Sequence, residues 1–280
     1  MKKPLFQKVS VIGVGLLGAS IAMALKERKL AASVCGYFRH RKKIAVALRK
    51  KAVDEGTDRL DQAVRGAELI ILCSPVEDII AVLKCLKKNP VPGALITDVG
   101  STKQEIVKAS AGLNFVGGHP LAGSERGGIE FARPDLFEQA PCILTTDRVS
   151  QDSLSRTAVF WKALGAKVVT MTSRQHDQAL AFTSHLPHAL AYALIAAVPE
   201  RFTRFSAGGL KDTTRIALSK PGLWSGIFLT NRGEILKSLS AFEKSLNALK
   251  SAIAENRRTT LLRLLSQAQK KRNSCLPFSK

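Results

Sequence analysis

Cysteine, proline and long hydrophobic runs are all scarce in this chain of 280 residues. Its five cysteines stand singly without a CxxC pair, which argues against both a disulfide framework and a zinc site. With 11 prolines and no long biased tract, the composition is globular rather than disordered. The longest apolar runs, such as ALAYALIAAV at residues 189–198, fall well short of the roughly 20 residues that cross a bilayer. We therefore expect a globular cytoplasmic protein with reduced thiols, no metal and no membrane partner.

Acidic residues are also few, which leaves a strong basic excess. Lysine and arginine total 43 against 22 aspartates and glutamates, for a net charge of +21. Such a charge is typical of nucleic-acid-binding proteins, which gain affinity by releasing counterions from phosphates. Here the basic residues are spread along the chain, and neither a nucleic-acid-binding signature nor a run of aromatics for base stacking accompanies them. We therefore favour a basic surface that attracts anionic small molecules, with no nucleic-acid partner.

The hydrophobic pattern divides the chain into two parts. In the first part, short apolar strand patterns alternate with helical ones, which predicts a parallel sheet with helices on both faces. The strand patterns are KVSVIG, ASVCGYF, AELIILC, GALITDV, PCILTT and AKVVTM. From Ser173 onward only long helical patterns occur. We expect an α/β domain over residues 1–172 and an all-α helical domain over residues 173–280.

A glycine motif, GVGLLG at residues 13–18, directly follows the first strand pattern and directly precedes a helical one. In that context Gly13 permits a tight turn, Gly15 lets the backbone approach a pyrophosphate, and Gly18 lets helix and strand pack closely. The helix that follows the motif offers unpaired N–H groups and its positive dipole end to the phosphates, and Leu16 and Leu17 within the motif belong to the predicted cofactor site. The motif predicts a Rossmann-type dinucleotide-binding domain.

The end of the second strand pattern indicates which dinucleotide is bound. A carboxylate is expected about 20 residues after the glycines to hold the adenine ribose, but Phe38 stands there. The residues that follow, Arg39, His40 and Arg41, form a cationic cluster that could pair with a 2′-phosphate. We therefore favour NADP as the cofactor, with NAD as the alternative. The predicted cofactor site is completed by two residues at the end of the strand pattern AELIILC, Ser74 and Pro75.

The stretch FVGGHPLAGSERGG at residues 115–128 sets His119 between glycine pairs, where neither a helical nor a strand pattern continues. Alone, such a histidine would be interpreted as a core residue. Together with GVGLLG, LITDVGSTKQ, SHLPHALAYAL and GGLKDTTRIALSKPGLW, in chain order, the stretch closely resembles the prephenate and arogenate dehydrogenases of tyrosine biosynthesis. The resemblance extends from about Lys8 to about Lys250.

That resemblance implies oxidative decarboxylation, in which prephenate and NAD(P) give 4-hydroxyphenylpyruvate, carbon dioxide and NAD(P)H. It also implies an active site between the dinucleotide-binding domain and a helical domain that forms a homodimer. His119 matches the family histidine that accepts the ring hydroxyl proton, and neutral imidazole suits this task near neutral pH. Ser101 matches a serine that orients the imidazole. It could also be a helix N-cap, because STKQ places a glutamine three residues on.

Five further residues match substrate-binding positions of the family. Arg215 matches the arginine that holds the ring carboxylate, which a guanidinium can bind in bidentate fashion. Lys211 and His188 match positions lining the substrate pocket. Ser124 and Glu125 follow the catalytic histidine in the same loop.

The pair His185 and His188 also permits a metal interpretation, because residues three apart share a helix face. No third ligand at matching spacing accompanies them, and Pro187 is expected to kink the helix there. We therefore expect no metal.

Three alternatives stay open at the level of sequence. Arogenate differs from prephenate only in an amino acid side chain in place of the pyruvyl group, so either could be the substrate. A non-catalytic basic module that binds a cofactor or nucleic acid is the alternative of a different class. In the segment 235–253, apolar residues alternate spacings of four and three, which fits either a core helix or a subunit interface. These apolar positions are Ile235, Leu239, Phe242, Leu246, Leu249 and Ile253.

Overall fold

The computed structural model describes residues 3–123 and 127–275, and its N-terminal part is built on a parallel sheet. The six strands are β1 (Phe6–Ile12), β2 (Ala31–Tyr37), β3 (Glu55–Thr57), β4 (Leu69–Leu72), β5 (Leu95–Asp98) and β6 (Phe115–Val116). Their order in the sheet is β3-β2-β1-β4-β5-β6, and all neighbours are parallel. This order is that of Rossmann-type dinucleotide-binding domains and confirms the first half of the predicted fold class.

Helices connect these strands and cover both faces of the sheet. They are α1 (Leu16–Glu27), α2 (Lys42–Arg49), α3 (Leu60–Val64), α4 (Val76–Lys88) and α5 (Gln104–Ala109). All four residues of β4 are buried, as expected for a central parallel strand. Leu69 and Ile71 belong to one hydrophobic cluster, whereas Ile70 and Leu72 belong to the other. Successive side chains therefore alternate between two cores, one on each face of the sheet.

A smaller sheet follows, with the order β7-β8-β9. Its strands are β7 (Gly118–Pro120), β8 (Pro141–Thr145) and β9 (Lys167–Met171), and α6 (Gln151–Ala163) connects the last two. β7 runs antiparallel to β8, and His119 pairs with Ile143. His119 thus lies in a strand, although the sequence shows no strand pattern there. Three residues are too few to display a period, and pairing with β8 rather than local propensity defines this strand.

All described elements after β9 are helical. They are α7 (Ser173–Leu180), α8 (Leu186–Ala197), α9 (Glu200–Thr203), α10 (Gly208–Thr214), α11 (Pro221–Thr230), α12 (Arg232–Ala254) and α13 (Arg258–Asn273). A π-helical turn, Ala181–His185, joins α7 to α8, and Pro187 follows it in the first turn of α8. A 3₁₀ turn, Arg215–Leu218, follows α10. This helical part confirms the second half of the predicted fold class.

The continuous helical run 173–197 contains an 18-residue window with a mean hydropathy of 1.2, so by length and composition alone it could span a membrane. Its polar residues His176, Asp177 and His185 are nevertheless buried within the protein. Only 22% of its most apolar window is buried in the single chain. The remaining apolar surface is therefore available to another chain.

The six apolar positions of segment 235–253 lie on α12, where one is buried, three are partly buried and two are exposed in the single chain. Ile235 is buried, whereas Leu246 is 50% exposed and Ile253 is 64% exposed. The core-helix interpretation therefore holds only at the start of α12.

Candidate active site

The glycine motif forms the turn from β1 into α1, beside the end of β4. Gly13 has φ +98°, and a Cβ there would lie 2.8 Å from the carbonyl oxygen of Cys73. A Cβ on Gly18 would overlap the carbonyl oxygen of Gly13, whereas one on Gly15 would meet no described atom within 4 Å. No side chain among the described residues caps the start of α1. Its N–H groups and the open space at Gly15 are therefore available to an anion.

A cavity of about 480 Å³, termed here the cofactor cavity, opens at this turn. Six predicted cofactor-binding residues line it: Gly13, Gly15, Arg39, His40, Ser74 and Pro75. The hydroxyl of Ser74 is buried there and has no hydrogen-bond partner within the described part of the chain. A buried polar atom without a partner is costly, so a ligand that bonds to it is favoured. The cavity therefore fits a dinucleotide.

Four predicted cofactor residues do not line this cavity. Three of them form the first turn of α1, namely Leu16, Leu17 and Gly18. Arg41 precedes α2 and lines a different cavity. Phe38, which replaces the expected carboxylate, is buried in the core beside Gly36.

A second cavity of about 670 Å³, termed here the substrate cavity, is lined by residues of the small sheet and of the C-terminal helices. Four predicted catalytic and substrate-binding residues line it: Ser101, His119, His188 and Arg215. Ser101 follows β5 and His119 lies in β7, whereas His188 belongs to α8 and Arg215 begins the 3₁₀ turn. The structure thus brings together residues that are far apart in the chain, from both parts of the fold.

The remaining predicted substrate residues are placed differently. Lys211 is exposed on α10 and is not among the residues that line the substrate cavity. Ser124 and Glu125 lie outside the described residues. Trp224 lines the cavity, and its ring stacks on that of His188 at 3.5 Å between centroids and 21° between planes.

The two histidines considered as metal ligands have different partners. Nδ1 of His188 donates to the carbonyl oxygen of Ser184 at 3.0 Å. Nδ1 of His185 accepts from the side-chain amide of Asn231 at 3.1 Å. Among the described residues, no group of three or more histidine, cysteine or acidic side chains is placed to hold a metal ion.

His119 is the first member of a hydrogen-bonded chain of side chains. Its Nδ1 lies 2.8 Å from Nε2 of His176, and Nδ1 of His176 lies 2.8 Å from Oδ1 of Asp177. His176 and Asp177 are both fully buried in α7. The hydrogen bond from His176 of the helical domain therefore fixes the orientation of the His119 ring.

Asp177 also connects α7 to the start of α5. Its carboxylate accepts the backbone N–H groups of Lys103 at 2.8 Å and of Gln104 at 2.9 Å. Ser101 is therefore not the N-cap of α5, because that helix begins at Gln104 and its free N–H groups are satisfied by a carboxylate from another element.

A buried ion pair holds the strand of His119 against the large sheet. Lys103 and Asp98, both fully buried, pair directly. Nζ of Lys103 also donates to the carbonyl oxygen of Gly118 at 2.8 Å, and the N–H of Gly118 donates to Asp98 at 2.9 Å. Both charges thus have additional hydrogen bonds, which a buried ion pair requires.

Burial controls the protonation of the histidines around the cavity. It lowers the pKa of His119 well below its ordinary value, and the neighbouring His176 and Lys103 lower it further. Burial also lowers the pKa of His176, although the hydrogen bond to Asp177 opposes this. The pKa of His188 is lowered by burial and by Arg215. At neutral pH these imidazoles are therefore neutral.

Four of the residues that build this site were not predicted: Asp98, Lys103, His176 and Asp177. Two sequence signals point toward them. Asp98 ends the strand pattern GALITD, at the carboxyl edge of a parallel sheet, where ligands bind. The pattern TSRQ at Thr172–Gln175 is a capping box that marks the start of the helix carrying the other two.

A dinucleotide-binding sheet beside a cavity lined by a neutral histidine and an arginine defines a class, the dinucleotide-dependent dehydrogenases. Comparison with known families agrees with this class. The prephenate dehydrogenase nucleotide-binding domain matches residues 21–170, and the prephenate dehydrogenase dimerization domain matches residues 172–267. The chain belongs to the prephenate dehydrogenase family and is an oxidoreductase that uses a pyridine nucleotide.

Individual relatives differ in the substrate named for them. Cyclohexadienyl dehydrogenase from Zymomonas mobilis is 35% identical, over 95% of each chain. The structure of prephenate dehydrogenase from A. aeolicus in complex with hydroxyphenyl propionate and NAD⁺ superposes with a TM-score of 0.87, at 33% identity over 95% of this chain and 97% of that chain. Synechocystis arogenate dehydrogenase has a TM-score of 0.80, at 32% identity over 95% of this chain and 99% of that chain.

Proposed function

We propose that this protein converts prephenate to 4-hydroxyphenylpyruvate and carbon dioxide, with NADP preferred over NAD. The observation that supports this most is the placement of His119 and Arg215 in one cavity. The cavity therefore offers a proton acceptor and a cation. A hydroxylated dicarboxylate requires both groups.

His119 is the general base of this reaction. Because burial keeps its imidazole neutral, it can accept the proton of the ring hydroxyl. Removal of that proton lets the same carbon release hydride as its oxygen becomes a carbonyl. A bound oxidised nicotinamide would supply the acceptor for this hydride. Loss of the ring carboxylate as carbon dioxide then restores aromaticity, and His119 returns a proton to the phenolic oxygen.

The other cavity residues bind and orient the substrate. Arg215 holds the ring carboxylate. A role for the Ser101 hydroxyl in orienting the imidazole of His119 rests on the family resemblance and on the place of both residues in the cavity lining. His188, fixed by its hydrogen bond to Ser184 and by stacking on Trp224, forms one wall of the cavity. Three further substrate contacts are proposed on the strength of the family resemblance alone: Lys211, Ser124 and Glu125.

The preference for NADP is supported by the charge around the cofactor cavity. Arg39, His40 and Lys43 line it together with the carboxylate of Asp78, and no carboxylate stands at the position of Phe38. A 2′-phosphate on the adenine ribose would be stabilised by the basic side chains.

A homodimer formed through the C-terminal helices completes the proposal. The matching family model is a dimerization domain, and α12 exposes apolar side chains such as Leu246 and Ile253 in the single chain. Covering them with the same surface of a second copy would bury them.

Arogenate is the second candidate substrate, because the Synechocystis structure that superposes with a TM-score of 0.80 is an arogenate dehydrogenase. Initial rates of reduced-nicotinamide formation, measured with prephenate and with arogenate, each with NADP and with NAD, separate the candidates. We expect the highest kcat/KM with prephenate and NADP, and 4-hydroxyphenylpyruvate as the product. Turnover of arogenate alone would contradict the substrate, and turnover of neither would contradict the function.

A further inference from the structure

The side chains of His119, His176 and Asp177 form a continuous line from the substrate cavity into the protein. The two imidazole rings are 5.0 Å apart between centroids, and each link of the line is a hydrogen bond of 2.8 Å. His119 lines the cavity, whereas His176 and Asp177 do not and are fully buried. The base that touches substrate is therefore connected to two groups that substrate cannot reach.

The positions of the hydrogens in these two hydrogen bonds follow from the carboxylate of Asp177, which lies farthest from the cavity. A carboxylate can only accept, so Nδ1 of His176 carries the hydrogen that Asp177 accepts. Neutral His176 then has its lone pair on Nε2, so Nδ1 of His119 carries the hydrogen of the next bond. The lone pair of His119 is left on Nε2. Asp177 thus determines, through His176, which nitrogen of His119 can accept a proton.

The charged and titratable groups around the line determine where a positive charge is stable. Lys103 and Asp98 face it from the start of α5 and the end of β5, and His185 faces it from the π-helical turn. Burial lowers the pKa of His119, and His176, Lys103 and His185 lower it further, whereas no described residue raises it. Burial and Lys103 lower the pKa of His176, but Asp177 and Asp98 partly offset this lowering. A proton is therefore better held on His176 than on His119.

We propose that His176 and Asp177 form a proton relay that is hydrogen-bonded to Nδ1 of His119. When Nε2 of His119 takes the hydroxyl proton, the Nδ1 hydrogen of His119 passes to Nε2 of His176, and the positive charge rests beside Asp177. The transfers reverse when the phenolic oxygen takes its proton back, so no proton is gained or lost overall. His176 and Asp177 are positioning residues in this scheme, which rests on the function proposed for His119.

The first test needs no turnover and therefore separates the relay from the proposed reaction. With five histidines in the chain, ¹⁵N-labelled imidazoles can be assigned by single substitutions and their tautomers read by NMR at neutral pH. We expect His119 and His176 to be Nδ1–H tautomers. His185 is an internal control with the opposite tautomer, because its Nδ1 accepts from Asn231. An Nε2–H tautomer of His119 would overturn the relay.

The second test is kinetic and uses His176→Gln, whose side-chain oxygen can accept from His119 but cannot take a proton. We expect kcat to fall about 10- to 100-fold with little change in KM. We also expect the acidic limb of the kcat profile to move to lower pH by about one unit, because the charge must then stay on His119 beside Lys103. An unmoved limb would overturn the relay.

A matched control separates this effect from damage to α7. Thr172→Ala removes the capping box of that helix and so destabilises it, but leaves His176 and Asp177 in place. We expect kcat and the pH profile of this variant to match the wild type. The same loss of kcat in both variants would show that His176 acts only through the fold. If the wild type turns over neither substrate, the proposed function fails and the NMR result still decides the tautomer.

Discussion

Arg39 and Asp78 form an ion pair of 2.5 Å between Nη2 and Oδ1 at the edge of the cofactor cavity. The guanidinium is 67% exposed and the carboxylate is 35% exposed, so the pair is solvated and weak. A 2′-phosphate, with more charge than a carboxylate, can displace Asp78 from Arg39. While the carboxylate of Asp78 is paired with Arg39, it is less available to accept a hydrogen bond from the 2′-hydroxyl of NAD.

Substitution of Arg39 is expected to change cofactor preference. For Arg39→Gln we expect kcat/KM for NADP to fall about tenfold and that for NAD to stay within about twofold, because only the phosphate contact is lost. Initial rates with both cofactors measure this ratio. Arg49→Gln, at the exposed end of α2, removes the same charge elsewhere and serves as control. Equal losses with both cofactors would contradict a 2′-phosphate contact at Arg39.

Substitution of Arg215 is expected to weaken substrate binding rather than slow the chemical step. In Arg215→Gln, loss of a charge-assisted bidentate contact should raise KM for prephenate about 10- to 100-fold. Lys211→Gln is the comparison, because Lys211 lies on α10 and does not line the substrate cavity. Steady-state kinetics should show the smaller KM change in Lys211→Gln. A larger rise in KM for Lys211→Gln than for Arg215→Gln would indicate that Lys211, rather than Arg215, binds the substrate.

Stability should fall in mild acid because buried histidines resist protonation. Burial lowers the pKa of His185 from 6.5 to about 4, so the unfolded chain takes up this proton first as pH falls. Stability is therefore lost as pH falls through this window and is retained above it. Between about pH 7 and about pH 5, His185 should account for roughly 2 kcal/mol of the loss.

Urea unfolding at both pH values measures this contribution. The pH dependence should be smaller in His185→Gln than in the wild type. Asn247→Gln, a substitution without a titratable group at an exposed position of α12, should keep the full dependence. An unchanged dependence in His185→Gln would contradict the assignment of this proton uptake to His185.

A charge on the exposed part of α12 should dissociate the proposed dimer. For Leu246→Glu we expect the dimer dissociation constant to rise about 100-fold or more, because the carboxylate would be buried without a partner. Sedimentation over a range of concentrations measures it. Asn247→Glu adds the same charge at the neighbouring exposed position, outside the apolar set, and should leave the dimer intact. A dimer unaffected by Leu246→Glu would exclude this face as the interface.

Local sequence patterns were sufficient to predict the sheet and the cofactor turn, but not the residues that hold His119 in place. The glycines of residues 13–18 act within one turn, so their spacing alone predicts the structure around them. His119 lies in a strand defined by β8, and its hydrogen-bond partner His176 comes from the other part of the fold. No local pattern encodes such a contact. The role of Asp177 in capping α5 was missed for the same reason, since Ser101 is nearer in sequence.

His119→Asn tests whether His119 is the general base. Asparagine keeps an N–H group that can donate to His176 but removes the nitrogen that accepts the proton. With prephenate and NADP both saturating, we expect kcat to fall about 10²- to 10⁴-fold, with KM within about twofold of the wild type. A kcat within about tenfold of the wild type would show that another group accepts the hydroxyl proton.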